Sequence, residues 1–239
     1  MGTLHRLRYL GHSAVALELK DGRVLLIDPF FTGNPRAAVS AEQWPRADLI
    51  LVTHAHGDHL GDTVALARRL DSCVVSTYDL CSWCEAQGVK RTSGMNLGGR
   101  QWLDGIEIQM VRADHTSGLI DEGGLRYGGV AAGFVLGLPD GPRVYHAGDT
   151  ALFTDMQLIA EFGRPQVGLL PIGDHFTMGP REAARAVRWL GLEVVIPIHW
   201  GTFPILTGTP EAFAESVARE GTPAQVVVLQ PGESYELQA

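Results

Sequence analysis

The stretch THAHGDHLGD, residues 53–62, holds three of the chain's nine histidines: His54, His56 and His59, with Asp58 among them and Asp62 at its end. It follows the apolar run LILVT, residues 49–53, which reads as a buried strand, and it turns at Gly57. Side chains alternate along an extended segment, so His54 and His56 point to the same side. Asp58 and His59 come after the turn and can point elsewhere. One short peptide could then serve two neighbouring cations, with two imidazoles for one and a carboxylate and an imidazole for the other. These donors suit zinc, manganese or iron, and the lack of a local cysteine disfavours a purely structural zinc. The H-x-H-x-D-H spacing between a strand and a helix predicts a metal site, against the plainer alternatives of a solvated polar turn or a lone mononuclear site. Asp62 is expected to open the next helix, where a carboxylate favours the positive end of the dipole.

Working outward, other apolar runs end the same way. RVLLI leads to Asp28, IEIQMV to His115, RVYHA to Asp149, VGLLP to Asp174 and His175, and VVIPI to His199. AVALEL, CVVST, AAGFVL and QVVVL read as further strands. Helical spacing marks GDTVALARRL and PREAARAVRWLG, the latter with Pro180 in its first turn and Gly191 as a stop. A third helix is expected after Thr209, a good N-cap, with Pro210 at its first position. Strands alternating with helices indicate an α/β chain. No linker or low-complexity segment interrupts it, so residues 1–239 are read as one domain. Sites in α/β sheets gather at the carboxyl ends of strands. Both halves show this strand-then-ligand habit, which suits a pair of similar β-rich halves facing each other.

Composition narrows the partners. The formal net charge is −8, and the only lysines are Lys20 and Lys90. A nucleic-acid-coating surface would want a basic stripe, so none is expected. A small anionic substrate stays open, because a metal site supplies its own positive charge. MGTLHRLRYLGHSAV lacks the apolar region of a signal peptide, and no apolar run reaches membrane-spanning length. A cytoplasmic protein without a membrane partner is therefore expected. Cys73 and the CSWC pair, Cys81 and Cys84, lack the second pair that a structural zinc site needs. They are expected to be buried or half-buried thiols on a helix.

HAHGDH resembles the signature of the metallo-β-lactamase fold superfamily, with LLIDP before it and ADHT, YHAGDT and PIHWGTFP after it in the matching order. Together with GHSAV, DPFFTGNP and PIGDHFTMGP, the whole chain resembles a family of small metal-dependent hydrolases related to L-ascorbate-6-phosphate lactonase. The resemblance implies a four-layer αββα sandwich with two divalent ions between its sheets, zinc first, with manganese, iron or nickel permitted. It assigns His54, His56 and His115 to one ion and Asp58, His59 and His199 to the other. Asp149 would bridge both alongside a hydroxide. Asp28 would hold a ligand imidazole by a hydrogen bond.

Five further residues stand beside these. His12, Asp174 and His175 are placed as supports or pocket residues; relatives often carry Asn at the last position, so it is not expected to be an essential acid. His146 is read as a strand or supporting residue, and His5 as surface. The chemistry implied is attack of the bridging hydroxide on a C=O or P=O centre of a small metabolite, a lactone or phosphodiester. Asp58 would also pass a proton to the leaving group. A class B β-lactamase would lack the bridging Asp149, and the length leaves no room for the added domains of glyoxalase-II-like or nuclease relatives. The alternatives are a di-iron redox enzyme of the same fold and a non-catalytic metal-binding protein. FFTGNP, TSGLIDEGGLRYGG and TMGP are the expected pocket walls, and a homo-oligomer is the expected assembly.

Overall fold

Short apolar, β-branched runs become strands in the computed structural model, which describes residues 4–121 and 123–238. The chain divides into two compact units. Among the described residues, the first comprises 4–96, 116–121, 123–131 and 230–238, and the second 97–115 and 132–229. Each carries a seven-stranded mixed sheet.

In the first unit the order is Ser234–Leu237, His5–Gly11, Ala14–Glu18, Val24–Ile27, Leu49–Leu51, Cys73–Thr77, Thr92–Met95. Pairing is antiparallel as far as Val24–Ile27 and parallel beyond it. Parallel strands are commonly covered on both faces, which explains why LILV and CVV are apolar at successive positions rather than alternating. Leu26, Ile50 and Val74 are fully buried and pack with Trp44, Leu66 and Leu80. Burying each such aliphatic side chain contributes about 1.5–3 kcal/mol. Leu66 belongs to the helix Thr63–Leu70 and Leu80 to Tyr78–Ala86. The latter carries Cys81 and Cys84, both buried. Burial pushes their thiols up to about 11 and about 12, which keeps both in the unreactive protonated form at neutral pH. A two-stranded hairpin, Gly118–Asp121 with Gly124–Tyr127, completes this unit. Glu122, between its strands, lies outside the described residues.

In the second unit the order is Gln225–Val226, Val194–Ile198, Val167–Pro171, Arg143–His146, Ala132–Gly137, Ile106–Arg112, Arg100–Leu103. The first four are parallel and the rest antiparallel. The helices Pro180–Leu190 and Pro210–Glu220 begin with proline and end at Gly191 and Gly221, both in the left-handed conformation that favours glycine. Thr209 accepts a hydrogen bond from the Ala212 N–H, a cap worth about 1 kcal/mol.

Two expectations are corrected. His5 is buried, not at the surface. It opens the strand His5–Gly11 and shares the inward register with Leu7 and Tyr9, and its Nδ1 accepts from the Lys20 N–H. QVVVL contributes only Gln225–Val226 to the sheet, with one further bond from the Val227 N–H to the Val195 carbonyl. Asp62 opens the helix Thr63–Leu70 as its N-cap, as expected, and its side chain makes no capping bond. Its Oδ2 instead accepts from the N–H groups of Phe31 and Thr32, each at 2.9 Å, and so pins the FFTGNP loop.

Candidate metal centre

In the first unit, the chain leaves Leu49–Leu51 and delivers Thr53, His54 and His56 before the single helical turn Gly57–Leu60, which carries Asp58 and His59. Asp28, just past Val24–Ile27, organises them. It is fully buried with φ 48°, a left-handed conformation uncommon outside glycine. Its Oδ1 accepts from the Thr53 N–H at 2.8 Å, and its Oδ2 from the Thr53 hydroxyl at 2.7 Å. Oδ2 also accepts from His59 Nδ1 at 2.7 Å, which leaves the His59 lone pair on Nε2. Because the Thr53 hydroxyl donates to Asp28, it accepts from His54 Nδ1 at 3.0 Å, so the His54 lone pair is also on Nε2.

His54 Nε2 faces His56 Nδ1 at 3.0 Å. Two bonds of about 2.0–2.1 Å from imidazole nitrogens to one zinc, at angles of about 90–110°, span about 2.9–3.4 Å. The pair therefore fits a shared divalent cation. His12, Asp58 and His59 offer a second group of ligand-type atoms within 4.8 Å of one another, with His12 Nε2 3.1 Å from Asp58 Oδ2.

In the second unit, His115, Asp149 and His199 follow Ile106–Arg112, Arg143–His146 and Val194–Ile198. These three strands run the same way in one sheet, so all three side chains start from its carboxyl end. Asp149 Oδ2 lies 3.1 Å from His199 Nε2 and 3.6 Å from His115 Nε2. One carboxylate oxygen is thus flanked by two imidazoles. His199 is buried with φ 56°, and a Cβ at Gly173 would collide with its carbonyl. Glycine at that position is what lets the two strand ends pass so closely.

The other candidates are less central. Asp174 and His175 are exposed, with φ 63° and 55°. Asp174 Oδ1 accepts from the His175 N–H, so it shapes its own turn. His146 is buried in its strand and accepts at Nδ1 from the Gly148 N–H, which braces the approach to Asp149.

Three hydroxyls went unread in the sequence. Thr53 sets the orientation of His54. Thr150 accepts from the Asp114 N–H, which ties the residue before His115 to the residue after Asp149. Ser117 accepts from the Ala55 N–H and donates to the Gly128 carbonyl. The available signal was adjacency, since Thr53 and Thr150 each sit next to a ligand candidate.

A family model described as a β-lactamase superfamily domain matches residues 23–200. The chain belongs to that superfamily. Its fold class is the αββα sandwich of the metallo-β-lactamase type. Among its relatives, a UPF0173 metal-dependent hydrolase of Methanopyrus kandleri is 47 % identical over 231 residues, covering 97 % of this chain and 99 % of its own. A Thermus thermophilus member is 48 % identical over 231 residues, covering 96 % and 98 %. Igni18, a metallo hydrolase from Ignicoccus hospitalis, superposes with a TM-score of 0.88 at 38 % identity, covering 99 % of this chain and 100 % of its own. The superfamily member described here is thus one of the UPF0173 metal-dependent hydrolases.

Proposed function

We propose that this superfamily member hydrolyses a small metabolite at an electrophilic carbonyl or phosphoryl centre, using two divalent ions. The observation that carries the reading is Asp149 Oδ2, placed beside both His115 and His199 in the second unit. A carboxylate so flanked suits a bridge between two ions. His54, His56 and His115 would hold one, and Asp58, His59 and His199 the other. The lone-pair directions fixed by Thr53 and Asp28 support the first-unit share of that set. When bound, such a pair supplies a nucleophilic hydroxide near neutral pH and polarises the bond under attack.

The protein's own groups account for the rest. Asp28 and Thr53 hold ligand rings in one tautomer, so little reorganisation is left for the reaction. The Asp58 carboxylate, half-buried, would take a proton and return it to the leaving group. The hairpin after His115 would form one wall of the substrate pocket. Its base is fastened to the ligand stretch through Ser117 and Ala55, with Thr116 Oγ1 3.4 Å from His56 Nε2. One hairpin face presents Ile120, Leu125 and Tyr127, 80 %, 75 % and 75 % exposed, which suits a substrate with an apolar portion. Lactones and phosphodiesters with an apolar substituent are the leading candidates.

The test is a panel of esters, lactones and phosphodiesters offered to metal-loaded and chelated protein. Turnover of at least one class is expected, lost on chelation and restored by zinc or manganese. A metal-loaded protein inert on every class would contradict the reading. Asp58→Asn with both ions bound and full turnover would remove the proton role alone.

A further inference from the structure

His12 sits between the strands His5–Gly11 and Ala14–Glu18, where the register shifts from Tyr9 to Gly11. Its backbone is left-handed, with φ 58°, and its side chain is fully buried. The loop is held closely. Gly11, with φ 110°, lies where a Cβ would collide with the Arg36 carbonyl, and the Tyr9 hydroxyl donates to the His12 carbonyl at 3.0 Å. The ring stands edge-on to Phe30 and His59, with centroids 5.8 and 5.7 Å away. Its Nε2 ends 3.1 Å from Asp58 Oδ2. A strained backbone and a packed ring both serve to bring one N–H to one carboxylate oxygen, and strain of this kind persists only where the surroundings enforce it.

We propose that His12 is a positioning residue for Asp58. Its Nε2–H donates to Oδ2 and holds the carboxylate in the orientation in which it meets the second ion. The inference rests on the two-ion reading above. A hydrogen-bonded support of this sort contributes about 10–100-fold in metal affinity.

Two substitutions separate positioning from backbone structure. His12→Asn suits the left-handed backbone, but its amide is too short to reach Asp58. His12→Gln suits that backbone less well, but its amide nitrogen extends about as far as the ring Nε2. A role confined to the loop therefore favours Asn, and a role in holding Asp58 favours Gln. Metal-free protein is titrated with Mn2+ against a competing chelator, and folding is followed by circular dichroism.

Wild-type protein is expected to take two ions. His12→Asn should weaken one of them about 10–100-fold and leave the other unchanged, while His12→Gln stays close to wild type. Gln binding no better than Asn overturns the proposal, and is the result if the ring itself were a ligand. Two ions bound by His12→Asn at wild-type affinity overturn it as well, with the two-ion reading intact. Wild-type protein that takes only one ion overturns both. Should His12→Gln fail to fold, Tyr9→Phe stands in: it loosens the His12 carbonyl and keeps the ring. It is expected to weaken the same ion alone, and unchanged binding counts against the proposal.

Discussion

At the scale of single residues, the histidines need help to be ligands. An imidazole binds a cation through one nitrogen, and the bond made by the other nitrogen decides which one is available. Asp28 makes that choice for His59, and Thr53 for His54. Asp28→Asn places an amide where one carboxylate oxygen accepts two donors. It is expected to weaken metal binding about 10–100-fold, measured by competition with a chelator, and unchanged affinity would show the hydrogen bond to be incidental. The seven ligand candidates were legible in the sequence because each stands at or just beyond the end of an apolar run. The supporting hydroxyls were not, since a serine or threonine looks the same whether or not a ligand lies beside it. Asp62 opens the helix as read, but the second role of its side chain was hidden for a related reason. Capping is a local argument, whereas its partners Phe31 and Thr32 lie about thirty positions earlier and meet it only through the fold.

At the scale of elements, the buried parallel strands and the two proline-led helices were readable, because length, apolarity and caps agree. The strands that escaped notice were Thr92–Met95, Arg100–Leu103 and Ser234–Leu237 at sheet edges and the two hairpin strands. RQWL carries no apolar run, and its pairing with Ile106–Arg112, not its composition, makes it a strand. The hairpin was anticipated only as a glycine-rich wall. Its structure shows why glycine is required at its base: a Cβ at Gly128 would collide with Ala55 and with the Ser117 carbonyl. Leu119 anchors one side in the core of its unit, and the opposite face keeps three large apolar side chains in solvent. If that face receives the apolar portion of the substrate, the double substitution Ile120→Ser, Leu125→Ser should raise KM about tenfold for apolar substrates and leave kcat nearly unchanged, as loss of uniform binding does. Equal KM values across the panel would detach the hairpin from substrate recognition.

At the scale of the whole molecule, two units repeat one solution: a sheet with a parallel portion whose strand ends deliver donors. The first supplies the dense cluster around THAHGDHLGD, and the second supplies three residues drawn from three separate strands. The fold class followed from the ordered motifs, and similarity along nearly the full chain agrees with it. The substrate was not legible, because the walls that choose it are loops and a hairpin whose shape depends on contacts between distant residues. No helix among the described residues is long and apolar enough to cross a membrane. The most direct measurement is a titration of metal-free protein with Zn2+ or Mn2+, followed by hydrolysis of a substrate found in the panel. Activity is expected to climb to its maximum at two ions per chain. A maximum reached at one ion, with no further change at the second, would contradict the dinuclear centre.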